Sequence, residues 1–281
     1  MERTAVSLGR VRIDSSIMNA SGARSAERAE ILELALAHRG ALVFKSCNLQ
    51  GLEAPENLKN RGVAHFAAIA RELSAQGKPT IGSVVGASEE EIITVAQTLD
   101  RAGVNIVELN LADEFVTNAV APFASYERLK ALLGRVRGEI GAVLAVKLPQ
   151  ILDRSQARSI ADLFKSLRIA IAVCWNDLPK DLEVDIRRAI AKGTRRLLSQ
   201  AHAFHQESDD LRDVVAVGGV ASGREAYVAH LTGAKAIQVG SALMKEGVGA
   251  LSRIDEELDS ILAETGTPRV TDIVGSLRFE G

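Results

Sequence analysis

Short apolar runs recur eight times along the chain, at residues 16–22, 41–47, 79–86, 105–111, 142–149, 169–176, 214–219 and 236–243. Runs of this length and composition are typical of strands that are buried on both faces of a parallel sheet. The stretches between most of them have helical patterning, at residues 26–39, 63–76, 89–102, 125–137 and 155–167. Ser88 precedes three glutamates and is expected to cap a helix, as are Asp153 or Ser155 further along.

Repeated alternation of strand and helix predicts an α/β fold, a (β/α)8 TIM barrel, formed by residues 1–281 as a single domain. A doubly wound sheet is the alternative, but no Gly-x-Gly-x-x-Gly turn follows an early strand. Residues 177–212 are long, charged and weakly patterned. There we expect a helix at about residues 193–205, preceded by an irregular loop.

Composition restricts the function classes. The 281 residues carry a net charge of −2, without a basic stripe and with few aromatic residues, which argues against a nucleic-acid partner. The N-terminus does not resemble a signal peptide, and no apolar run reaches membrane-spanning length. Cys47 and Cys174 lack metal-ligand spacing, and all five histidines fall in predicted helices. These features predict a cytoplasmic protein with reduced thiols and without a metal site.

Polar residues interrupt the predicted strands near their ends, where a (β/α)8 barrel carries its site. Lys45 and Lys147 each lie in an apolar run, and lysine is rarely buried unless it is paired. The two lysines predict an anion or an electron-rich ring between them, or else two ion pairs with Glu108 or Asp113. Asn110 ends the fourth run, and its amide needs either a ligand or loop backbone as a partner.

Small residues end the last two predicted strands, at Gly218, Gly219, Gly240 and Ser241. Backbone N–H groups can approach an anion at such positions, and barrels often bind phosphate after strands seven and eight. This pattern predicts a phosphate site. The alternative is that the glycines only permit tight turns between strand and helix.

Several segments together resemble one family, the soluble class 1 dihydroorotate dehydrogenases, and the resemblance extends over nearly the whole chain. The segments are Met18-Asn-Ala-Ser-Gly22, Phe44-Lys-Ser46, Glu108-Leu-Asn-Leu111, Val146-Lys-Leu-Pro149 and a C-terminal block that spans residues 216–247. The resemblance implies an FMN-binding (β/α)8 barrel that oxidises dihydroorotate to orotate in pyrimidine biosynthesis. It also implies a homodimer with a small-molecule substrate and no membrane anchor.

The resemblance also implies residue roles. A base removes a proton from the substrate while a neighbouring carbon delivers hydride to FMN, and Lys147 stabilises the reduced flavin. Lys45, Asn110 and Asn176 contact the substrate. The FMN-binding positions are Ala20, Ser21, Gly22, Lys45, Ser46, Asn110, Lys147, Gly218, Gly219, Gly240 and Ser241.

The sequence departs from the family pattern around the substrate. Asp113 stands where the family has a cysteine base, Phe115 replaces an asparagine that grips the substrate, and the loop at residues 54–62 is altered. An aspartate can abstract a proton, but its charge repels a substrate carboxylate. Asp113 as base therefore favours a less anionic cyclic amide or an enone. Its alternative role is a structural ion pair with Lys45.

Two further function classes remain open from the sequence. One is a non-catalytic flavin-binding subunit that descends from such an enzyme. The other is a flavin-free aldolase or isomerase barrel in which Lys45 or Lys147 forms a Schiff base. The colour of the purified protein distinguishes the last class from the other two.

Overall fold

Eight parallel strands form one sheet that curves into a nearly closed barrel. The computed structural model describes residues 2–52, 59–112, 125–150, 153–179, 181–192, 198–208 and 213–280. Each barrel strand pairs with its neighbours in chain order, so the predicted (β/α)8 fold is confirmed. The barrel strands are β3 (Ile17–Asn19), β4 (Leu42–Val43), β5 (Thr80–Val84), β6 (Ile106–Asn110), β7 (Val143–Lys147), β8 (Ile171–Trp175), β11 (Asp213–Val217) and β12 (Ala236–Val239).

A side chain closes the seam of the barrel. The backbone ladder is continuous from β4 round to β3 but does not join these two strands to each other. There the amide of Asn19 donates from Nδ2 to the carbonyl of Val43, over 2.7 Å, and accepts at Oδ1 from the Val43 N–H, over 2.9 Å. Asn19 thus replaces a missing pair of backbone hydrogen bonds.

The predicted helices are present, with ends that shift by one or two residues for most of them. The predicted caps at Ser88 and Asp153 are confirmed, because their side chains accept from the N–H groups of Glu91 and Gln156. The helices are α1 (Arg28–Ala37), α2 (Val63–Ala75), α3 (Glu89–Arg101), α4 (Tyr126–Glu139), α5 (Arg154–Leu167), α6 (Gln200–Glu207), α7 (Gly223–Leu231), α8 (Ser241–Glu246), α9 (Gly249–Glu264) and a short 3-10 turn at Val270–Asp272.

The weakly patterned segment after β8 differs from the prediction. Its helix, α6, begins at Gln200 because the Ser199 side chain accepts from the His202 N–H and caps it there. The preceding segment is not wholly irregular. It contains β9 (Val184–Asp185) and β10 (Ile190–Ala191), and β10 pairs in parallel with β13 (Arg278–Phe279). The partner strand lies near the other end of the chain, so local sequence could not reveal this sheet.

An additional hairpin lies at the N-terminal ends of the barrel strands. It pairs β1 (Val6–Leu8) with β2 (Val11–Ile13). A Cβ at its turn residue Gly9 would lie 2.9 Å from a methyl of Val143, the first residue of β7. The Gly9 N–H donates to the carboxylate of Asp213, the first residue of β11. The hairpin therefore covers this end, and the other end is left for a site.

A cluster of four buried polar side chains and the partly exposed Arg39 lies at the same end, and we call it the basal cluster: Ser15, Ser16, Arg39, His230 and Asp255. Asp255 accepts from Ser15 Oγ over 2.8 Å and from Arg39 over 2.8 Å. The His230 Nδ1–H donates to the carbonyl of Ala234 over 2.7 Å, and its Nε2 pairs with Ser16 Oγ over 3.1 Å. No buried side-chain nitrogen or oxygen of these five residues lacks a partner.

The hydrophobic core fills the space between the sheet and the helices. Phe44 and Phe66 stack with ring centroids 5.8 Å apart, and Phe164 and Phe204 lie 5.7 Å apart. All four rings are fully buried, and rings of this size contribute a large share of core burial. Over the described parts of the chain, no helix is both long and apolar enough to cross a bilayer.

Candidate active site

The two strand lysines converge on one loop at the C-terminal end of the barrel. Lys147, the last residue of β7, is 8% exposed, and its Nζ donates to Ser21 Oγ over 3.2 Å. The Nζ of Lys45, which follows β4, lies 3.6 Å from the position that a Cβ on Gly22 would occupy. The Ser21–Gly22 loop therefore brings both amines to the barrel mouth, as the strand-end argument predicts.

Glu108 does not form an ion pair with either lysine. Its side chain is fully buried inside the barrel, where Oε2 accepts from Gln238 Nε2 over 2.6 Å and Oε1 accepts from Ser83 Oγ over 3.3 Å. Among the described residues, the side-chain partner of the Lys147 amine is a neutral hydroxyl, that of Ser21. The interpretation of these groups as a Glu108–lysine pair is therefore wrong. A buried amine without a carboxylate partner, among the residues described, favours an anionic or electron-rich ligand.

Two asparagines at the mouth have buried carbonyl oxygens without a partner. Asn110 donates from Nδ2 to Ser46 Oγ over 2.9 Å, and Asn176 donates from Nδ2 to the Gly218 carbonyl over 3.3 Å. The Oδ1 atoms of both residues are buried and unpaired in the described structure. An unsatisfied buried acceptor costs about 1–3 kcal/mol. The expectation that Asn110 bonds to loop backbone does not hold, and both oxygens are suited to accept from a ligand.

The glycines after β11 adopt backbone conformations that other residues avoid. Gly218 has φ of +91° and Gly219 has φ of +69°. A Cβ on Gly219 would lie 2.5 Å from the carbonyl oxygen of Asn176, so a side chain cannot be accommodated there. This confirms the tight-turn role of the pair.

The ends of β12 and β3 meet beside these glycines. A Cβ on Gly240 would lie 3.6 Å from the Ala20 Cβ, and the Ala20 N–H donates to the Val239 carbonyl over 2.9 Å. Ser241 is exposed at the first position of α8. Gly240 thus lies beside Ala20, and Gly218 is tied to β12 by the bond from its N–H to the Gln238 carbonyl, over 3.4 Å.

The altered substrate segments lie largely outside the described residues. Asp113, Phe115 and residues 53–58 belong to this group, so the roles expected of them stay predictions. At the end of the altered loop, Asn60 Oδ1 accepts from the Gly62 N–H over 3.0 Å. This bond holds the described part of the loop in a turn before α2.

The remaining candidate groups do not contribute chemistry at the mouth. Burial raises the pKa of both the Cys47 and Cys174 thiols far above the ordinary value, which suppresses the nucleophilic thiolate. His230 lies in the basal cluster, and the His38 ring bonds to the Ile17 carbonyl over 2.7 Å at the same end. These rings are packing groups, as expected from their helical positions.

Ser83 and Gln238 are site-supporting residues that the strand-end argument missed. Both lie within barrel strands rather than at their ends, and both are buried beside Glu108. A signal was present, because each is an isolated polar residue in an apolar run. One polar residue in a strand does not reveal which other strand it faces, so the pattern alone does not bring the two together.

Comparison with known proteins agrees with this geometry. The family model described as Dihydroorotate dehydrogenase matches residues 51–262. A Streptococcus uberis protein named "Putative dihydroorotate dehydrogenase A (fumarate)" is 28% identical over 309 residues, which cover 99% of each chain. A protein of the same name from Streptococcus equi subsp. equi is 27% identical over 310 residues, with full coverage of both.

Solved structures show the same fold. The crystal structure of ligand-free type DHODH from Eimeria tenella superposes with a TM-score of 0.79 at 13% identity, and it covers 98% of this chain and 92% of that one. The family match spans well over half of the sequence, and the named relatives align along its whole length. The chain therefore belongs to the dihydroorotate dehydrogenase family, and within it resembles the class 1 proteins.

Proposed function

We propose that this protein is an FMN-dependent oxidoreductase that removes a hydride and a proton from a CH–CH group of a cyclic amide. Dihydroorotate is the first candidate substrate, because of the family. The observation that carries the proposal is the chemistry of the mouth, where the buried Lys147 amine lies at the same barrel end as the unpaired oxygens of Asn110 and Asn176. The N–H groups of a substrate ring would donate to the two asparagine oxygens, and an electron-rich cofactor would be the partner of the Lys147 amine.

The residues present fit FMN. Lys147 offers a positive charge in a largely dry position, and Gly218, Gly219 and Gly240 carry no side chain that would shield the backbone from a phosphate. Ala20, Ser21, Gly22, Ser46 and Ser241 complete the set of residues that would hold the cofactor. When bound, FMN supplies a two-electron acceptor. The Lys147 ammonium would stabilise negative charge on the bound FMN, and a site of low dielectric constant strengthens this effect.

The chain's own groups would orient the substrate and move one proton. Asn110 Oδ1 and Asn176 Oδ1 accept from ring N–H groups and so fix the plane of the ring. Lys45 contributes a second positive charge at the mouth. The Asp113 carboxylate is the proposed base, and it takes the proton from the substrate carbon next to the carbon that gives up the hydride.

A second candidate substrate class is a less anionic ring. An aspartate in the base position repels the carboxylate of dihydroorotate, and Phe115 removes an amide contact that the family uses. Each such change costs about 1–3 kcal/mol of binding free energy. The two changes together therefore correspond to roughly a hundredfold in affinity. We therefore expect a neutral cyclic amide such as dihydrouracil to reduce the protein faster than dihydroorotate does.

The decisive experiment is spectroscopic. Purified protein should be yellow, with about one FMN for each chain, and anaerobic addition of the substrate should bleach the flavin band. Dihydroorotate and dihydrouracil are to be compared at equal concentrations. A colourless protein that does not bind added FMN contradicts the proposal, and borohydride trapping of a carbonyl compound on Lys45 or Lys147 would then support the aldolase alternative.

A variant of the proposed base tests the proton step. Asp113→Asn should still bind FMN but should lose most of its bleaching rate, because an amide cannot accept the proton. Equal rates in parent and variant would assign Asp113 to the ion pair with Lys45. Flavin that no donor reduces would favour the non-catalytic subunit. The homodimer is a further prediction, which the sedimentation velocity of the purified protein would test.

A further inference from the structure

A chain of hydrogen bonds leads from the candidate site into the barrel interior. Asn110 Nδ2 lies 2.9 Å from Ser46 Oγ, which lies 2.9 Å from Ser83 Oγ. Ser83 Oγ lies 3.3 Å from Glu108 Oε1. Glu108 and Ser83 are fully buried. We call these four side chains, with the Gln238 amide that bonds to the other oxygen of Glu108, the apical chain.

The Glu108 carboxylate at the buried end of the apical chain sets the direction of its hydrogen bonds. Both oxygens of Glu108 accept, Oε1 from Ser83 Oγ and Oε2 from Gln238 Nε2, and a serine hydroxyl has one proton to donate. Ser83 therefore donates to Glu108 and must accept from Ser46. Ser46, having used its proton, must accept in turn, and only the Nδ2 of Asn110 can donate to it. The orientation of the Asn110 amide thus follows from a carboxylate three hydrogen bonds away.

The orientation decides what Asn110 offers to a ligand. With Nδ2 held by Ser46, the oxygen Oδ1 is left buried and unpaired. The opposite orientation would present an N–H donor in the same place. Asn176 is fixed in the same sense, because its Nδ2 donates to a backbone carbonyl and its Oδ1 is unpaired. Each of the two positions therefore presents an acceptor oxygen to a ligand.

We propose that Glu108 is a positioning residue that holds Asn110 as a hydrogen-bond acceptor, through Ser83 and Ser46. The site then selects ligands with a ring N–H at that position over ligands with a bare ring nitrogen. This selection rests on the proposed function, because it assumes that the ligand ring binds beside Asn110. The orientation of the amide itself does not depend on that assumption.

Ser83→Ala tests the selection by breaking the chain. Without Ser83, the Ser46 hydroxyl is free to donate to Asn110 Oδ1, and the amide can rotate to present its N–H groups. The matched control is Ser16→Ala, which removes an equally buried hydroxyl from the basal cluster. Calorimetry on the FMN-loaded proteins measures the affinity for orotate, which has ring N–H groups, and for pyrimidine-4-carboxylate, whose ring nitrogens only accept.

The expected result is a preference for orotate in the parent and in Ser16→Ala, and a preference about tenfold smaller in Ser83→Ala, the worth of one hydrogen bond. An unchanged preference in Ser83→Ala would overturn the proposal. If the parent binds neither probe, the result contradicts the proposed function. The orientation of the Asn110 amide is then tested by a second measurement, which needs no ligand.

Neutron diffraction from crystals of the parent, exchanged into heavy water, shows the orientation of the Asn110 amide directly. Deuterons on the Asn110 atom that faces Ser46, together with a Glu108 carboxylate that carries none, would support the proposal. An oxygen of Asn110 facing Ser46, or a deuteron on Glu108 directed at Ser83, would overturn it. This measurement needs no ligand and no variant, so neither weak binding nor poor folding of Ser83→Ala can obscure the result.

Discussion

The two ends of the barrel each carry a buried polar group of similar size, but the two differ in how completely their atoms are paired. In the basal cluster, Asp255 has partners at both oxygens and His230 at both ring nitrogens. In the apical chain, Asn110 Oδ1 and Gln238 Oε1 are buried without partners. Because an unpaired buried acceptor costs stability, its presence at only one of the two groups requires a reason.

The comparison teaches which end is structural and which is functional. A fully paired network stabilises the fold and offers nothing to a ligand. A network that ends in unpaired oxygens gives up stability in the free protein and recovers it when a ligand supplies the donors. The covering β1–β2 hairpin lies at the paired end, so the site can only form at the other end. The predictions below test this difference, from the largest expected effect to the smallest.

A pair of lysine variants should separate the two ends most clearly. Lys147→Ala at the mouth should slow flavin reduction or weaken FMN binding by at least tenfold and up to about a hundredfold, because it removes a charge from a dry site. Lys78→Ala is the control, since the Lys78 amine donates to the His38 carbonyl at the basal end. Stopped-flow reduction and fluorescence titration measure both quantities. Equal losses in the two variants would show that Lys147 acts through the fold.

The basal cluster should make stability depend on pH. Burial lowers the pKa of His230 from the ordinary value of 6.5 to about 4. Between these values the unfolded chain binds a proton that the folded chain excludes. The contribution is therefore fully present above pH 6.5 and is lost as the pH falls towards 4, by roughly 3 kcal/mol in total. Burial also lowers the pKa of His38, which adds to the effect in the same direction.

Urea unfolding at pH 7 and at pH 4.5 measures this loss. The variant His230→Gln should be less stable at pH 7 because it disturbs the bonds to Ser16 and Ala234, but its stability should change less between the two pH values. A slope as steep as that of the parent would show that other groups carry the pH dependence.

Two buried asparagines, Asn19 at the barrel seam and Asn176 at the mouth, should respond differently to truncation. Asn19→Ala removes the bonds that close the barrel seam and leaves the Val43 N–H and carbonyl unpaired, so we expect a loss of about 2–3 kcal/mol in unfolding free energy. Asn176→Ala removes one long hydrogen bond together with an unpaired oxygen, so its effect should stay within about 1 kcal/mol. Urea midpoints compare the two. A larger loss in Asn176→Ala would contradict the assignment of its oxygen to a ligand.

The smallest expected effect concerns Ser16 alone. Ser16→Ala deletes a neutral hydrogen bond to His230 and should lower the unfolding free energy by about 1 kcal/mol, with no change in flavin content. Thermal unfolding and the absorbance ratio of the purified protein measure both. A loss of flavin in this variant would show that the two ends are coupled through the barrel.

The sequence by itself determined the eight barrel strands, most of the helices between them, their order and the ends of the strands where chemistry lies. Eight apolar runs with helices between them permit few arrangements, because connections of this kind place successive parallel strands side by side. Knowing that site groups lie at the strand ends was enough to select Lys45, Lys147, Asn110 and the glycines, and the family resemblance added Asn176. Their convergence could therefore be predicted without coordinates.

Only the tertiary structure decided which polar groups face each other. Glu108, Ser83 and Gln238 lie on three different strands, and their contact depends on the curvature and register of the closed sheet. The same holds for the Asn19 bridge across the seam and for the pairing of β10 with β13. Periodicity reports which face of an element is buried, but the partner across the barrel is set by closure, which no local pattern encodes.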